Sequence, residues 1–357
     1  MSEKAYTPNP YDLQWEISSA SLGPGKITEI GELLGLQTIE HLVQRAEMFA
    51  NEIATKAGIE QVGISLLPAW AINVNRLHEA IGESKSSIHL GSLDIPYMLD
   101  GHEFGSTLLQ QLQKRSFSGV INTLGFTALN TPTLDLWEQQ VQESLQLTEW
   151  PIPLTVRLSS DAFTENGLGD RVMHLVRMLG PNRVGDVRVA VEIAATEATS
   201  QVLNNQATNN PITDYMALMN KLHGQYGDTI CYSFDTGHMA TIAHGVDVNT
   251  QTSLAEVNVA ELLETVITQG GPTLTCMVEL GQVDNNANTH VPLTEGVLDL
   301  ERAMRVYGKH VRAGNTTTHP RAIIETNPRD RSAMLTTNND LLVATLKDLN
   351  NAFYRSL

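Results

Sequence analysis

Short apolar runs alternate with stretches of helical period along the whole chain. The runs read as strands at 14–20, 61–66, 87–90, 119–124, 154–158, 187–194, 229–235, 274–279 and 322–325. Several are continuous rather than strictly alternating, as expected of parallel strands covered on both faces. Between them, 39–57 places Leu42, Ala46, Phe49, Ile53 and Ala57 at spacings of three or four, one apolar stripe of a helix. Helices are also expected at 134–145, behind the capping Thr131-Pro132-Thr133, at 214–226, at 260–268 and at 301–307, the last stopped by Gly308. Strands alternating with helices throughout imply repeated βαβ units around a parallel sheet. The fold expected is a (β/α)8 TIM barrel, a single domain over 1–357 with an N-terminal extension of about 1–13 and a C-terminal helix. Nine candidate strands compete for eight slots, and 154–158 is the first to be doubted. A doubly wound open sheet is the other possibility, but the glycine-rich turn that would mark it is missing.

Composition narrows the partners. The chain has 357 residues and a formal net charge of −17, with no run of Lys or Arg to interrupt it. A phosphate backbone needs a positive stripe, so nucleic acid is not expected. No stretch has the roughly 20 apolar residues that span a bilayer, and no secretory signal opens the sequence, so no membrane partner is expected. The two cysteines, Cys231 and Cys276, lie inside apolar runs and read as small buried hydrophobes of a reduced, cytoplasmic protein.

Acidic residues fall at the ends of the apolar runs. Glu192 closes RVAVE, Asp235 closes ICYSFD with His238 three residues on, Glu279 closes TCMVE with Asp284 and His290 behind it, and Glu325 closes RAIIE. Any one of these alone would read as a solvated loop group. In a parallel barrel, however, all strand C-termini meet on one rim. Carboxylates gathered there cannot all stay ionised without a cation among them. A divalent ion held by oxygen ligands and one imidazole would resolve the conflict. Trp15, Trp137 and Trp150 read as packing groups, while Trp70, after a strand end, is a candidate platform for a sugar ring.

At these residues the chain resembles the xylose-isomerase-like barrel superfamily of sugar isomerases, epimerases and metal-dependent apurinic endonucleases. Val191-Glu192-Ile193 is similar to the end of the family's fifth strand, and Asp235-Thr236-Gly237-His238 to the end of the sixth. His290-Val291-Pro292-Leu293-Thr294-Glu295-Gly296 resembles the loop after the seventh, and Ile323-Ile324-Glu325 the end of the eighth. The match runs from Val187 to Glu325 and departs at one point: the seventh strand lacks its metal-binding His, whose place falls to Glu279 or to Gly281 depending on the alignment.

The resemblance implies a divalent metal ion (Mn²⁺, Mg²⁺, Co²⁺ or Zn²⁺) held by Glu192, Asp235, Glu279 and Glu325. It further implies a carbohydrate substrate that loses and regains a proton beside its carbonyl through an enediolate. Glu192 and Glu325 would be the proton-transferring pair. His238 would hold a substrate hydroxyl, and His290 would cover the substrate. His89 on the third strand and Asn122 on the fourth would face the same mouth, with Trp70 beside them. Barrels of this family often pair, so a homo-oligomer is expected. A degenerate barrel that binds a ligand or partner without catalysis is the alternative reading, supported by the missing His. An apurinic-endonuclease-like hydrolase is a further one, opposed by the charge.

Overall fold

The computed structural model describes residues 11–19, 21–22, 39–66, 74–84, 86–94, 142–144, 154–163, 167–178, 187–193, 210–246, 254–271, 273–285, 289–326 and 339–355. Among them, eight parallel strands close into a barrel. They are β1 (Gln14–Ser18), β2 (Val62–Leu66), β3 (Ile88–Asp94), β4 (Leu154–Ser159), β5 (Val187–Glu192), β6 (Ile230–Asp235), β7 (Thr275–Leu280) and β10 (Thr316–Ile324). The order around the barrel is β1-β10-β7-β6-β5-β4-β3-β2. A two-stranded antiparallel hairpin, β8 (Gln282–Val283) and β9 (Thr289–Val291), stands on the rim after β7. The helices are α1 (Ile39–Phe49), α2 (Val74–Glu83), α3 (Leu168–Met178), α4 (Pro211–Tyr226), α5 (Thr236–Val246), α6 (Val259–Gln269), α7 (Leu300–Arg312) and α8 (Asn339–Arg355). No helix among the described residues is long and apolar enough to cross a membrane.

Two expectations about strands change. The run doubted at 154–158 is the fourth barrel strand: Ser92, Leu93 and Asp94 of β3 pair directly with Thr155, Val156 and Arg157. Residues 119–124, with Asn122, lie outside the described residues, and the fourth slot is filled without them. The Arg inside this apolar run signals a buried charge partner within the barrel rather than a surface strand. Trp70, Trp137 and Trp150 also lie outside the described residues. Trp15 packs as expected, 3% exposed, its indole donating to Asn350 Oδ1 at 3.0 Å.

The strand sequences explain the two layers of core. In β6, Ile230, Tyr232 and Phe234 pack outward against the helices, and Tyr232 donates to the Gly270 carbonyl at 3.1 Å. Cys231, Ser233 and Asp235 take the alternate, interior face. A small apolar cluster of Ala190, Cys231, Cys276, Met277 and Ile323 fills the middle of the barrel. Cys231 and Cys276 are bonded as a disulfide, which corrects the reading of two unbonded thiols. Pairing of β6 with β7 brings their Cα atoms to 5.8 Å, a separation a disulfide bridges.

Beside that cluster the interior turns polar. Glu16 of β1 and Arg321 of β10 form an ion pair with essentially no exposure. Ser92 hydroxyl donates to Glu16 Oε2 at 2.5 Å, and Arg321 also donates to the Gly91 carbonyl at 3.1 Å. Gly63 and Gly91 make the space: a Cβ at 63 would stand 2.8 Å from Glu16 Cγ, and one at 91 would press on the Glu16 carboxylate.

Outside the barrel, Gly308 does not stop a helix. α7 continues to Arg312, and Gly308 is the point where α7 touches α8, since a Cβ there would collide with the Phe353 backbone.

Candidate active site

The four carboxylates singled out from the sequence share one rim. Asp235 ends β6, Glu192 ends β5, Glu279 lies near the end of β7, and Glu325 follows β10, its amide bonded to the Leu280 carbonyl at 3.4 Å. Tyr215 of α4 steadies the scaffold below them, its hydroxyl within reach of the Val191 carbonyl (2.5 Å) and the Ser233 carbonyl (3.0 Å).

The Asp-Thr-Gly-His segment has a local physical basis. Asp235 caps α5: its Oδ1 accepts from the His238 amide at 2.6 Å, satisfying a free N–H of the first turn. Thr236 Oγ1 lies 3.0 Å from the Glu279 carbonyl and 2.7 Å from that of Gly281, and it accepts from the Gly281 amide at 3.1 Å. That hydroxyl therefore ties the end of β6 to the end of β7.

His238 is then carried back over the rim, with Nδ1 2.6 Å from Glu192 Oε1. Its Nε2 lies 3.1 Å from Nε2 of His290, and the two rings meet edge to face at 86°. Burial opposes charging His238, but Asp235 and the hydrogen bond to Glu192 outweigh it and raise its pKa to about 10. Burial likewise disfavours ionised Glu192, yet the hydrogen bond from His238 holds its pKa below the usual value.

His290 comes from β9 with φ of 60°, one of two non-glycine residues at positive φ among the described residues. Such strained backbone persists where the surroundings impose it. The reason is visible at Gly281, where a Cβ would stand 3.2 Å from His290 Nδ1 and 3.7 Å from Asp235 Oδ1. The absent side chain at 281 leaves the room into which the His290 imidazole swings. Both Asp235 Oδ2 and His290 Nδ1 are buried with no hydrogen-bond partner among the described residues.

Arg157 of β4 is the residue the sequence reading missed. Its guanidinium reaches Glu325 Oε2 at 2.9 Å and also forms an ion pair with Glu279 Oε2. Ser233 hydroxyl donates to the other Glu279 oxygen. Burial raises the cost of ionising Glu325, but Arg157 overcomes it, and the pKa of Glu325 is lowered. The available signal was the lone cation in the apolar run LTVRLS, which required an acidic partner across the barrel.

His89 does not join this group. It is the second residue of β3, and the charged groups it senses are Glu16 and Arg321.

No family model and no curated protein matches the chain. Among solved structures it is similar to a D-allulose 3-epimerase from Methylomonas sp., at 13% identity over 97% of this chain and 98% of that one, with a TM-score of 0.45. The closed parallel barrel itself is established by the pairing of its own strands.

Proposed function

We propose that the chain is a divalent-metal-dependent isomerase or epimerase acting on a sugar or a sugar-like polyol or keto acid. The supporting observation is one rim that gathers Glu192, Asp235, Glu279 and Glu325 with His238 and His290. Two groups there offer ligand atoms within 4.8 Å of one another: Glu192, Asp235 and Glu279, and Asp235, His238 and His290. The unpartnered Asp235 Oδ2 and His290 Nδ1 fit an ion between hard carboxylate oxygens and an imidazole, a donor set suited to Mn²⁺, Mg²⁺, Co²⁺ or Zn²⁺. His290 then supplies the imidazole that the seventh strand lacks. A bound ion contributes Lewis-acid stabilisation of the oxyanion that develops when a proton leaves the neighbouring carbon.

The side chains have the remaining tasks. Glu192 and Glu325 are both held ionised, by His238 and Arg157 respectively, so each can accept a proton. Their strands lie apart around the barrel, with β6 and β7 between them, so the carboxylates approach the mouth from different sides. One removes the proton and the other, once protonated, returns it. His290 covers the rim beside the ion, and His238, held between Glu192 and His290, keeps the Glu192 carboxylate in place.

The test is solvent-deuterium incorporation beside the carbonyl across a panel of free and phosphorylated pentoses and hexoses. The wild type is expected to exchange at least one of them, and Glu192→Gln to exchange none. Full exchange in that variant removes Glu192 as the base. One observation favours the second reading, a barrel that binds without catalysing: Arg157 already neutralises Glu279 and Glu325 without any ion. Absence of a stoichiometric metal in purified protein, together with no exchange across the panel, would decide for it.

A further inference from the structure

The carboxylate cluster is satisfied on one side and unsatisfied on the other. Glu279, with no exposure, has the Ser233 hydroxyl on one oxygen and Arg157 on the other. Glu325, 17% exposed, shares the same guanidinium nitrogen. Arg157 itself is 3% exposed, so this charge is not screened by bulk water. Beside Glu279 on the neighbouring strand, Asp235 Oδ2, and with it His290 Nδ1, is buried with no hydrogen-bond partner among the described residues. A guanidinium does not lose its proton in a protein, so its charge is permanent. A divalent ion placed between Glu279 and Glu325 would have to share two carboxylates with that charge and be repelled by it.

We propose that Arg157 is a resident counter-cation of the cluster, a positioning residue that occupies the Glu279–Glu325 side and confines the site to a single divalent ion on the Glu192–Asp235 side. The inference rests on the metal-binding reading above, and it divides the labour among the four acidic groups. Glu192 and Asp235 face the ion. Glu279 anchors the guanidinium. Glu325 is held at the edge of the ion's reach, oriented by Arg157 for proton transfer.

Calorimetric titration of metal-free protein with Mn²⁺ tests the assignment without reference to turnover. Wild type is expected to take up one equivalent. Arg157→Met, which keeps the bulk and removes the charge, is expected to take up a second equivalent or to bind the first roughly tenfold more tightly or better. Arg157→Lys, which keeps the charge, is expected to titrate like the wild type. Equal stoichiometry and affinity in wild type and Arg157→Met overturns the inference, as does Arg157→Lys behaving like Arg157→Met. If Arg157→Met folds only with Mn²⁺ and unfolds on chelation, the ion has replaced the guanidinium and the inference stands. If it stays unfolded with and without Mn²⁺, the ion cannot replace the guanidinium and the inference fails. A wild type that takes up no ion overturns both the metal-dependent function and the single-ion assignment, whereas one equivalent bound with no exchange across the sugar panel refutes the proposed activity and leaves the assignment standing.

Discussion

At the scale of single residues, the interior of this barrel is organised by buried charges that need one another. Glu16 and Arg321 lie 305 positions apart in sequence, and each supplies the opposite charge beside which the other leaves water. Removing one partner strands the other, so Arg321→Met is expected to cost about 3–5 kcal/mol in urea denaturation. Replacing both, as Glu16→Gln with Arg321→Met, should recover a large part of that loss; a double variant as unstable as the single one would disprove the pairing argument. Gly281→Ala is a finer probe. The added methyl meets His290 Nδ1 at 3.2 Å, so His290 must shift. Mn²⁺ affinity should fall several-fold while the melting temperature changes little, and unchanged affinity would remove His290 from the ligand set. The acidic positions Glu192, Asp235, Glu279 and Glu325 were legible because charge at the end of an apolar run is conspicuous. Arg157 was legible in principle too, but its meaning depends on which strand lies opposite, and sequence does not show that.

At the scale of elements, the chain pattern located all eight barrel strands but doubted 154–158 because nine runs competed for eight places, and it saw only the end of β10, whose Thr-rich start reads as loop. Helix ends were harder to read. Gly308 resembles a stop signal, yet it serves the crossing of α7 and α8, where any side chain would enter the Phe353 backbone. Gly308→Ala should therefore destabilise by about 1–3 kcal/mol, measured by chemical denaturation, although alanine is the better helix former. A stabilised variant would show that the crossing has room. The disulfide joins β6 to β7 across 45 positions. Its loss in Cys231→Ala with Cys276→Ala should lower stability by roughly 2–4 kcal/mol. The bond itself is checked by counting free thiols in denaturant without reductant, and two free thiols would disprove it.

At the scale of the molecule, His89 gives folding a characteristic dependence on acidity. Burial lowers its pKa from 6.5 to about 4, with Glu16 opposing the shift and Arg321 adding to it. The unfolded chain therefore takes up a proton that the folded chain refuses. The His89 contribution is complete above about pH 6.5 and is lost as pH falls toward 4, whereas that of His238, with its pKa raised to about 10, is lost only as pH rises from 6.5 through 10. Glu192 and Glu325, held below their ordinary values, lose their contribution only below about pH 4.5. His89→Gln should flatten the decline between about pH 6.5 and 4.5 while leaving the steeper acid transition in place. An unchanged profile would show that His89 is not the group responsible.

The sequence by itself determined the class of architecture, the order of its strands along the chain and the rim on which the acidic residues would gather. All of these follow from local periodicity and from the rule that strand ends of a parallel barrel share a face. Only the tertiary structure decided which charges neutralise one another. Arg157 meets Glu279 and Glu325, Arg321 meets Glu16, and His290 fills the space above Gly281 through contacts between strands distant in sequence. Hydrophobic pattern is a property of neighbours along the chain, whereas pairing of buried charges is a property of neighbours in space.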